Sequence, residues 1–223
     1  MAHNRSEKVL SILRRTFAMP KWTESTDDPF KTLIVTIISQ NTADKNTERA
    51  FEKLSNKFKI TPEVLAKAEI AQIEDSLKVA GLYRNKAKAI KEVSRRVLEK
   101  HEGNLDTVLS LPIDKAREKL LELPGVGPKT ADVVLLFCAG MPTIPVDTHV
   151  DRVSKRLGLA PKRGSYEVVR IALQSNYNPK DYLAVHILFI LHGRRFCKAR
   201  APLCKMCPVK AFCPSRSMWE KND

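Results

Sequence analysis

The sequence predicts an all-α protein. Apolar residues recur at helical spacing in several stretches, and no sustained apolar–polar alternation of the kind found in half-buried strands is present. The composition agrees, because 43% hydrophobic residues with only 6% aromatic residues suit a helical globular core. A chain of 223 residues is long enough for one large domain or two small ones.

The first elements are two apolar-faced helices joined by a polar link. Residues 1–19 form the first candidate helix, and Pro20 ends it. The apolar side of this helix consists of Val9, Leu10, Leu13 and Phe17. Residues 20–29 are polar and rich in turn-forming residues, so we expect them to link two parts of the fold. A strongly apolar helical stripe starts at Phe30 and predicts a core helix.

Two interruptions in the helical pattern carry candidate functional residues. Residues 39–44 form a polar break that contains Gln40 and Asn41; taken alone, such a break is somewhat more often a helix end followed by a new N-cap. Further on, Leu82 and Lys86 follow a glycine at the start of another helix, which on its own predicts a helix end and a solvated basic turn. The functional interpretation gives both residues a role in binding a ligand, Leu82 as an exposed apolar side chain and Lys86 as a contact to an anion.

A glycine hairpin between two helical patterns is the central feature of the sequence. Gly125 and Gly127 let the chain reverse, and Pro128 suits the first position of the second helix. The N–H groups and the dipole at the start of that helix form a small anion site that suits a phosphate. Lys129 lies in this positive first turn, which favours its neutral and nucleophilic amine. Taken alone, residues 123–127 are more often an ordinary helix–helix linker.

Asp147 stands eighteen residues after Lys129 (147 − 129 = 18), at the start of another predicted helix. Asp147 or Thr148 could simply cap this helix, since residues 148–151 match a capping box. A carboxylate that also faces a reaction site would stabilise positive charge developing there and help to deprotonate an amine. His149 is interpreted as a structural residue.

Four cysteines near the C-terminus give a strong metal signal. Their spacing is C-x6-C-x2-C-x5-C, and they are Cys197, Cys204, Cys207 and Cys213. From chemistry alone, such a set suits either zinc or an iron–sulfur cluster. In a reducing compartment, metal ligation is more natural for crowded cysteines than disulfide formation. Basic residues surround them, including Lys198 and Lys205, and form either a solvated face or a phosphate-binding loop.

The net charge of +14, from 39 basic and 25 acidic residues, predicts attraction to polyanions. Charge alone does not distinguish DNA, RNA and an anionic membrane surface. The longest apolar run, residues 184–191, is too short to span a bilayer, and the first fifteen residues contain no long apolar segment. We therefore expect an intracellular protein, cytoplasmic and nucleoid-associated, or nuclear if its source is eukaryotic.

Two motifs together resemble the endonuclease III branch of the helix-hairpin-helix DNA glycosylase superfamily. They are the hairpin run from Leu123 to Val134 and the Val-Asp-Thr-His sequence that starts at Val146. The resemblance extends from about Phe30 to Cys213. Lysine and aspartate stand at the family's separation, and the cysteine spacing is that of the family's [4Fe–4S] loop. The resemblance therefore favours an iron–sulfur cluster over zinc and implies no diffusible cofactor.

The same resemblance implies two helical domains with an active-site cleft between them. Residues 30–140 would form a six-helix domain that contains the helix-hairpin-helix. Residues 1–29 and 141–223 would join in a cluster domain, with the [4Fe–4S] loop at residues 197–213. The cleft would receive an everted nucleotide, because chemistry at the sugar C1′ requires the base to leave the stack.

The implied activity is base-excision repair by a bifunctional DNA glycosylase. Such an enzyme removes damaged, mainly oxidised, pyrimidines from duplex DNA and cleaves the abasic site by β-elimination. In this resemblance Lys129 forms the Schiff base and Asp147 assists. The partner is double-stranded DNA with damaged bases or abasic sites, bound by a monomer. The implied DNA contacts are Gln40 or Asn41 in the gap left by the everted nucleotide, Leu82 as wedge, Lys86, Lys198 and Lys205 on phosphates, and the backbone of Gly125, Val126 and Gly127.

Two alternatives stay open at this point. The first is a mismatch-type uracil or thymine glycosylase of the same superfamily, and the second is a non-catalytic DNA-binding module held together by metal. Pro128 stands where many family members carry a basic residue, and Ser39-Gln40-Asn41 departs from the commoner Ser-Ala-Gln. Both departures concern the choice of substrate.

Overall fold

The computed structural model describes residues 2–20 and 28–218. These residues form α-helices and short 3-10 turns and contain no β-strand, which confirms the predicted all-α class. In chain order the α-helices are α1 (Ala2–Thr16), α2 (Pro29–Ser39), α3 (Asp44–Lys57), α4 (Pro62–Lys67), α5 (Ile70–Leu77), α6 (Tyr83–His101), α7 (Asp106–Leu109), α8 (Ile113–Leu121), α9 (Pro128–Ala139), α10 (Thr148–Arg156), α11 (Tyr166–Asn176) and α12 (Tyr182–Arg195). Within the described ranges, no helix is long and apolar enough to cross a membrane.

The chain divides into two compact units. One is the continuous segment Ser25–Met141, which contains α2 to α9. Six of these helices have eight residues or more, while α4 and α7 are shorter. The other unit combines Met1–Glu24 with Pro142–Asp223 and contains α1 and α10 to α12.

The Ser25–Met141 unit is organised around α2 and α6. Asp28 caps α2 by accepting a hydrogen bond from Lys31 N at 2.9 Å, and Pro29 occupies the first helical position. Complete burial of a Val, Leu, Ile or Phe side chain contributes about 1.5–3 kcal/mol. The side chains of the predicted apolar faces are buried as expected. On α2 these side chains are Phe30, Leu33, Ile34, Ile37 and Ile38, and on α6 they are Ala87, Ile90, Val93 and Val97.

The second unit joins the start of the chain to its C-terminal third. Helix α1 packs on α12 and α11, and Ser6 Oγ donates to Asn176 O at 2.9 Å. The helix ends at Thr16, three residues before the predicted end, because Pro20 in a continued helix would clash with the Thr16 carbonyl four residues earlier. Most of the predicted link at residues 20–29 falls on residues 21–27, outside the described part of the chain.

Candidate active site and nucleic-acid interface

The hairpin between α8 and α9 has the backbone that its glycines predict. Gly125 has a φ of 78°, and a Cβ added there would lie 3.1 Å from the Cβ of Ala89, so both conformation and space favour glycine. Gly127 is the extended N-cap of α9, and a Cβ added to it would meet nothing within 4 Å. Pro128 then begins the helix. The space beside Gly127 is therefore open to a ligand at the helix N-terminus.

A buried ion pair fixes the two helices of the hairpin relative to each other. Arg117 on α8 donates through Nε to Asp132 Oδ1 at 2.8 Å and through Nη2 to Asp132 Oδ2 at 3.3 Å. Asp132, on α9, is fully buried. Two parallel hydrogen bonds between planar groups constrain orientation as well as distance. The pair therefore fixes α9 relative to α8 at the residue that follows the first turn of α9.

Lys129 is the second residue of α9 and is half-buried. The N–H groups of the first helical turn have no carbonyl one turn earlier, so the backbone beside Lys129 carries the positive end of the helix dipole. The next residues, Thr130 and Ala131, are buried and anchor this turn in the core. Lys129 thus stands on a rigid element, at the end that attracts anions.

The two amide side chains in the loop after α2 differ in their hydrogen bonds. Gln40 Nε2 donates to Gly125 O at 3.2 Å and to Thr130 Oγ1 at 3.4 Å, so the hairpin engages this side chain. Asn41 has a φ of 55°, a left-handed conformation that asparagine tolerates better than most residues. Its side chain is exposed and makes no hydrogen bond to the described residues. Both side chains are exposed, and Asn41 differs from Gln40 in having no such contact to the described residues.

Leu82 is presented to solvent by an unusual turn. Gly81 and Leu82 both have positive φ, 64° and 47°, and Leu82 precedes the first residue of α6. The left-handed conformation is costly for a leucine, by roughly 1–2 kcal/mol. The side chain is nevertheless 60% exposed. An exposed apolar side chain on a strained turn is what a wedge requires, and packing within the protein does not explain it.

In the other unit, Asp147 caps α10. Its Oδ1 accepts a hydrogen bond from Val150 N at 2.7 Å, which identifies Asp147, and not Thr148, as the N-cap. The residue is half-buried, and Oδ1 alone makes a hydrogen bond within the described residues. One carboxylate oxygen thus caps the helix, and the hydrogen bond from Val150 N leaves the other oxygen of the carboxylate out of the cap.

The segment before Asp147 is fixed by buried polar contacts. His186 Nδ1 donates to Pro145 O at 2.8 Å, and Val146 N donates to the hydroxyl of Tyr166 at 3.3 Å. On the C-terminal side of Asp147, burial lowers the pKa of His149, although the negative charge of Asp147 acts to raise it. His149 is also 3.1 Å, through Nδ1, from an Arg152 guanidinium nitrogen. These contacts agree with a structural interpretation of His149.

All four C-terminal cysteines line one cavity, and each is half-buried. Arg156 reaches them from α10, with Nη1 3.5 Å from Cys197 Sγ and 2.7 Å from Lys198 O. Burial raises the pKa of the Cys207 thiol to about 11 and also raises that of Cys213. Within residues 2–20 and 28–218, no three His, Cys, Asp or Glu side chains are close enough to hold one metal ion.

Comparison with known proteins gives the family. The model of the HhH-GPD superfamily base excision DNA repair proteins matches residues 34–179. The endonuclease III of Thermotoga maritima is 41% identical over 186 residues, which is 83% of this chain and 83% of that protein. The chain belongs to the endonuclease III family. The corresponding protein of Sulfolobus acidocaldarius is 38% identical over 189 residues, 84% of this chain and 82% of that protein.

Solved structures agree with the family. A non-covalent endonuclease III–DNA complex superposes with a TM-score of 0.86 at 30% identity, covering 99% of both chains. A trapped endonuclease III–DNA covalent intermediate gives a TM-score of 0.83 at 31% identity, covering 96% of this chain and 97% of the other. The resemblance inferred from the hairpin and the Val-Asp-Thr-His motif is therefore confirmed.

Within this endonuclease III-family chain, Lys86 does not lie where the sequence pattern predicts. It is 4% exposed, and its ammonium group donates to Ile38 O at 2.7 Å, to Ala80 O at 3.0 Å and to Thr42 Oγ1. Burial lowers its pKa. The predicted phosphate contact is therefore wrong in the described structure, because all three N–H donors of the ammonium face protein oxygens.

Lys198 and Lys205 are both exposed beside the cysteines, so they remain candidates for phosphate contact.

The sequence interpretation missed Thr42 and Arg156. Thr42 Oγ1 donates to Ala80 O at 2.6 Å and so connects two loops far apart in sequence. Arg156 holds the cysteine loop through main-chain carbonyls. No local pattern indicates either role, because each depends on a long-range contact.

Proposed function

We propose that Lys129 is the nucleophile through which this endonuclease III-family glycosylase and abasic-site lyase acts on DNA. The neutral Nζ of Lys129 attacks C1′ of the damaged nucleotide, and the bond from C1′ to the base breaks with its electron pair leaving on the base. Loss of a proton from nitrogen and opening of the sugar ring give an imine. Removal of a C2′ proton then expels the 3′-phosphate by β-elimination. The position of Lys129 at the positive N-terminus of α9 supports this role.

We propose that Asp147 assists the same reaction as a carboxylate. A negative charge stabilises the positive charge that develops on the sugar as the base departs, and it helps to take a proton from the lysine ammonium. The hydrogen bond from Val150 N fixes the orientation of the group, so capping and catalysis are compatible. An uncharged side chain of the same shape would keep the cap and lose the charge.

The DNA contacts in this proposal come from three segments of the Ser25–Met141 unit. The backbone of Gly125, Val126 and Gly127 holds one phosphate at the start of α9, as the open space beside Gly127 allows. Asn41 fills the gap left by the everted nucleotide, because Gln40 is engaged by the hairpin. Leu82 is the wedge between base steps, which its 60% exposure supports.

Lys198 and Lys205 add phosphate contacts in this proposal. Phosphate contacts give affinity without reading sequence, and each one makes binding more sensitive to salt. Both side chains are exposed beside the cysteine loop. Neutralising the two lysines should therefore reduce DNA affinity and flatten its salt dependence, with the iron–sulfur absorbance unchanged. Unchanged affinity would remove them from the proposal.

The endonuclease III family carries a [4Fe–4S] cluster, and we propose that Cys197, Cys204, Cys207 and Cys213 hold one here. The common cavity of the four thiols supports this assignment. A single tetrahedral zinc needs all four sulfurs about 2.3 Å from one point. A [4Fe–4S] cluster distributes its four thiolates over four irons, and the x6, x2, x5 spacing of these cysteines is that of the family's cluster loop. When bound, the cluster cross-links residues 197–213 and gives the loop a fixed shape.

Oxidised pyrimidines in duplex DNA are the proposed substrate class. The test compares base release and strand cleavage on duplexes with thymine glycol, guanine-mispaired uracil and guanine-mispaired thymine. Wild type should act best on thymine glycol, and Lys129→Ala should abolish strand cleavage. Preference for the mispaired duplexes would make the chain a mismatch glycosylase, and tight binding without base release would make it a non-catalytic module.

Asp147→Asn separates the two roles of Asp147 in the same assay. Asparagine is as good an N-cap as aspartate, so the melting temperature should stay close to that of wild type. Turnover should fall by about 100-fold or more, as for loss of other assisting groups. Full turnover in Asp147→Asn would reduce Asp147 to a cap.

A further inference from the structure

Lys86 connects the two loops that carry the proposed DNA-inserting side chains. Its ammonium lies between Ile38 O at 2.7 Å and Ala80 O at 3.0 Å, and it also contacts Thr42 Oγ1. One acceptor lies at the end of α2, one in the turn before Leu82, and one in the loop between α2 and α3. An ammonium has three N–H donors, so these oxygens satisfy it completely.

The position of this charge explains why a lysine can be buried there. The last four carbonyls of a helix have no intrahelical partner and carry the negative end of its dipole. Three of those carbonyls in α2 are satisfied by nearby groups of residues 39–42, and the fourth, Ile38 O, accepts from Lys86. Ala80 is the last residue of a 3-10 turn, so its carbonyl also lies at the C-terminal end of a helical segment. Carbonyl and hydroxyl dipoles thus stabilise the buried ammonium.

Both loops are held in conformations that a mobile loop would not keep. Asn41 and Leu82 both have positive φ, 55° and 47°, and both side chains are exposed. Such conformations persist only where the surrounding structure holds them. Neither side chain has packing of its own that would do so. The contacts made by Thr42 and by Lys86 join the two turns to each other, and they add to the Gln40 and backbone hydrogen bonds that hold each turn.

Thr42 completes the connection. Its hydroxyl donates to Ala80 O at 2.6 Å while accepting from the Lys86 ammonium, and it lies 3.2 Å from Gln40 O. The two loops are thus cross-linked by a small closed network centred on the ammonium. Networks of this kind rigidify their surroundings when every donor and acceptor is used.

We propose that Lys86 is a positioning residue that sets the spacing between Asn41 and Leu82, so that both side chains enter the duplex together. The proposal rests on the proposed function, since it assigns these two side chains to the gap and the wedge. Insertion at one base step requires the ends of the Asn41 and Leu82 side chains to be in register with the duplex. Misplacement of such groups by about 1 Å is enough to cost up to about 100-fold in rate.

The first test is Lys86→Met, which keeps an unbranched apolar stem and removes the ammonium. Single-turnover excision from a thymine glycol duplex should fall about tenfold or more. Strand cleavage at an abasic site in single-stranded DNA should change less than about threefold, because no base stack has to be opened there. Lys53→Met is the matched control, since Lys53 is an exposed lysine on α3 and its loss removes the same charge.

The second test is a cycle with Asn41→Ala and Leu82→Ala combined. If Lys86 acts through these side chains, Lys86→Met should add less than about twofold to the loss already present in the combined variant. The full effect of Lys86→Met in that background would overturn the proposal, and so would an equal loss on single-stranded DNA. Thr42→Val, which removes the hydroxyl but conserves shape, should act in the same direction and supplies the test if Lys86→Met does not fold.

The two proposals fail in distinguishable ways. If wild type does not cleave an abasic site through Lys129, the proposed function is wrong, whatever Lys86 does. If that cleavage is intact and the combined Asn41→Ala and Leu82→Ala variant excises as fast as wild type, the assignment of the insertion residues is wrong. If the combined variant is slow and Lys86→Met is as fast as wild type, the positioning role alone is wrong.

Discussion

The hairpin and the cysteine loop, residues 197–213, are ordered by different kinds of contact. The hairpin is held by protein groups alone, namely the Arg117–Asp132 ion pair and the Gln40 hydrogen bond to Gly125 O. The cysteine loop contains only two short 3-10 turns, Cys204–Met206 and Lys210–Phe212. Its direct ties include those from Arg156 to the carbonyls of Lys198 and Ala199, at 2.7 and 3.0 Å.

The hairpin is thus an example of a segment ordered by side-chain packing, and the cysteine loop is an example of a segment whose order depends on a bound group. Leu123 and Val126 of the hairpin are buried in a large apolar core. In the cysteine loop, only Val209 is fully buried among the described apolar side chains. Four thiols line one cavity there, and the cluster proposed for them would supply the cross-links that packing does not. The hairpin should therefore keep its structure under conditions that unfold the loop.

The largest expected effect comes from removing a cluster ligand. Cys204→Ser should abolish the iron–sulfur absorbance and open the loop to trypsin at its several lysines and arginines. The amides of α8 and α9 should keep their protection from hydrogen exchange. Cys138→Ser is the control, because Cys138 lies on α9 of the other unit, and its loss should leave the absorbance unchanged. Equal loss of protection in α8 and α9 would show that the two regions do not differ.

The next largest effect comes from removing the ion pair between the two helices of the hairpin. Arg117→Ala leaves the carboxylate of Asp132 buried without this partner and should lower the free energy of unfolding by about 3–5 kcal/mol. Replacing both residues, as Arg117→Met with Asp132→Leu, should cost much less. Denaturant unfolding with the cluster intact measures both. The exposed pair of Arg95 and Glu92 is the control, and Arg95→Ala should cost no more than about 1 kcal/mol.

A smaller effect tests whether the rest of the cysteine-bearing unit is ordered by its own contacts. Asp147→Ala removes the side-chain acceptor of Val150 N and should cost about 1 kcal/mol of stability, whereas Asp147→Asn should cost little. Thermal unfolding of the iron-loaded protein measures the two variants side by side. An asparagine variant as unstable as the alanine variant would mean that the charge, and not the cap, provides the stability.

The smallest effect concerns pH in the hairpin-bearing unit. Burial lowers the pKa of His101 below its ordinary value of 6.5, so the unfolded chain binds a proton more readily than the folded one. Stability contributed by neutral His101 is present above pH 6.5 and is lost as the pH falls through the interval below it. His101→Gln should flatten this part of the stability profile. A profile as steep as that of wild type would assign the effect to other groups.

Much of the fold follows from local pattern. Apolar stripes predict α2 and α6 because helical spacing places those residues on one face, and the hairpin follows from glycine and proline at the positions where a reversal needs them. Proline also explains the one early helix end, since Pro20 acts on Thr16 four residues before it. These features depend on neighbours within a few residues.

The site could be predicted only in part. Gln40 and Asn41 look equivalent in sequence, and they differ because Gln40 meets Gly125, 85 residues away along the chain. Lys86 looks like a surface lysine on a basic turn, and it is buried where Ile38 O, 48 residues away along the chain, meets the nearby Ala80 O. Contacts of this range are set by tertiary packing, which no local pattern contains.

The most direct measurement is borohydride trapping on an abasic-site duplex, followed by mass spectrometry of the digested covalent complex. Reduction should freeze the imine, and the sugar adduct should be found on Lys129. Lys129→Ala should give no complex while still binding the duplex, as expected if Lys129 forms the imine. An adduct on another lysine, or a complex formed equally well by Lys129→Ala, would contradict it.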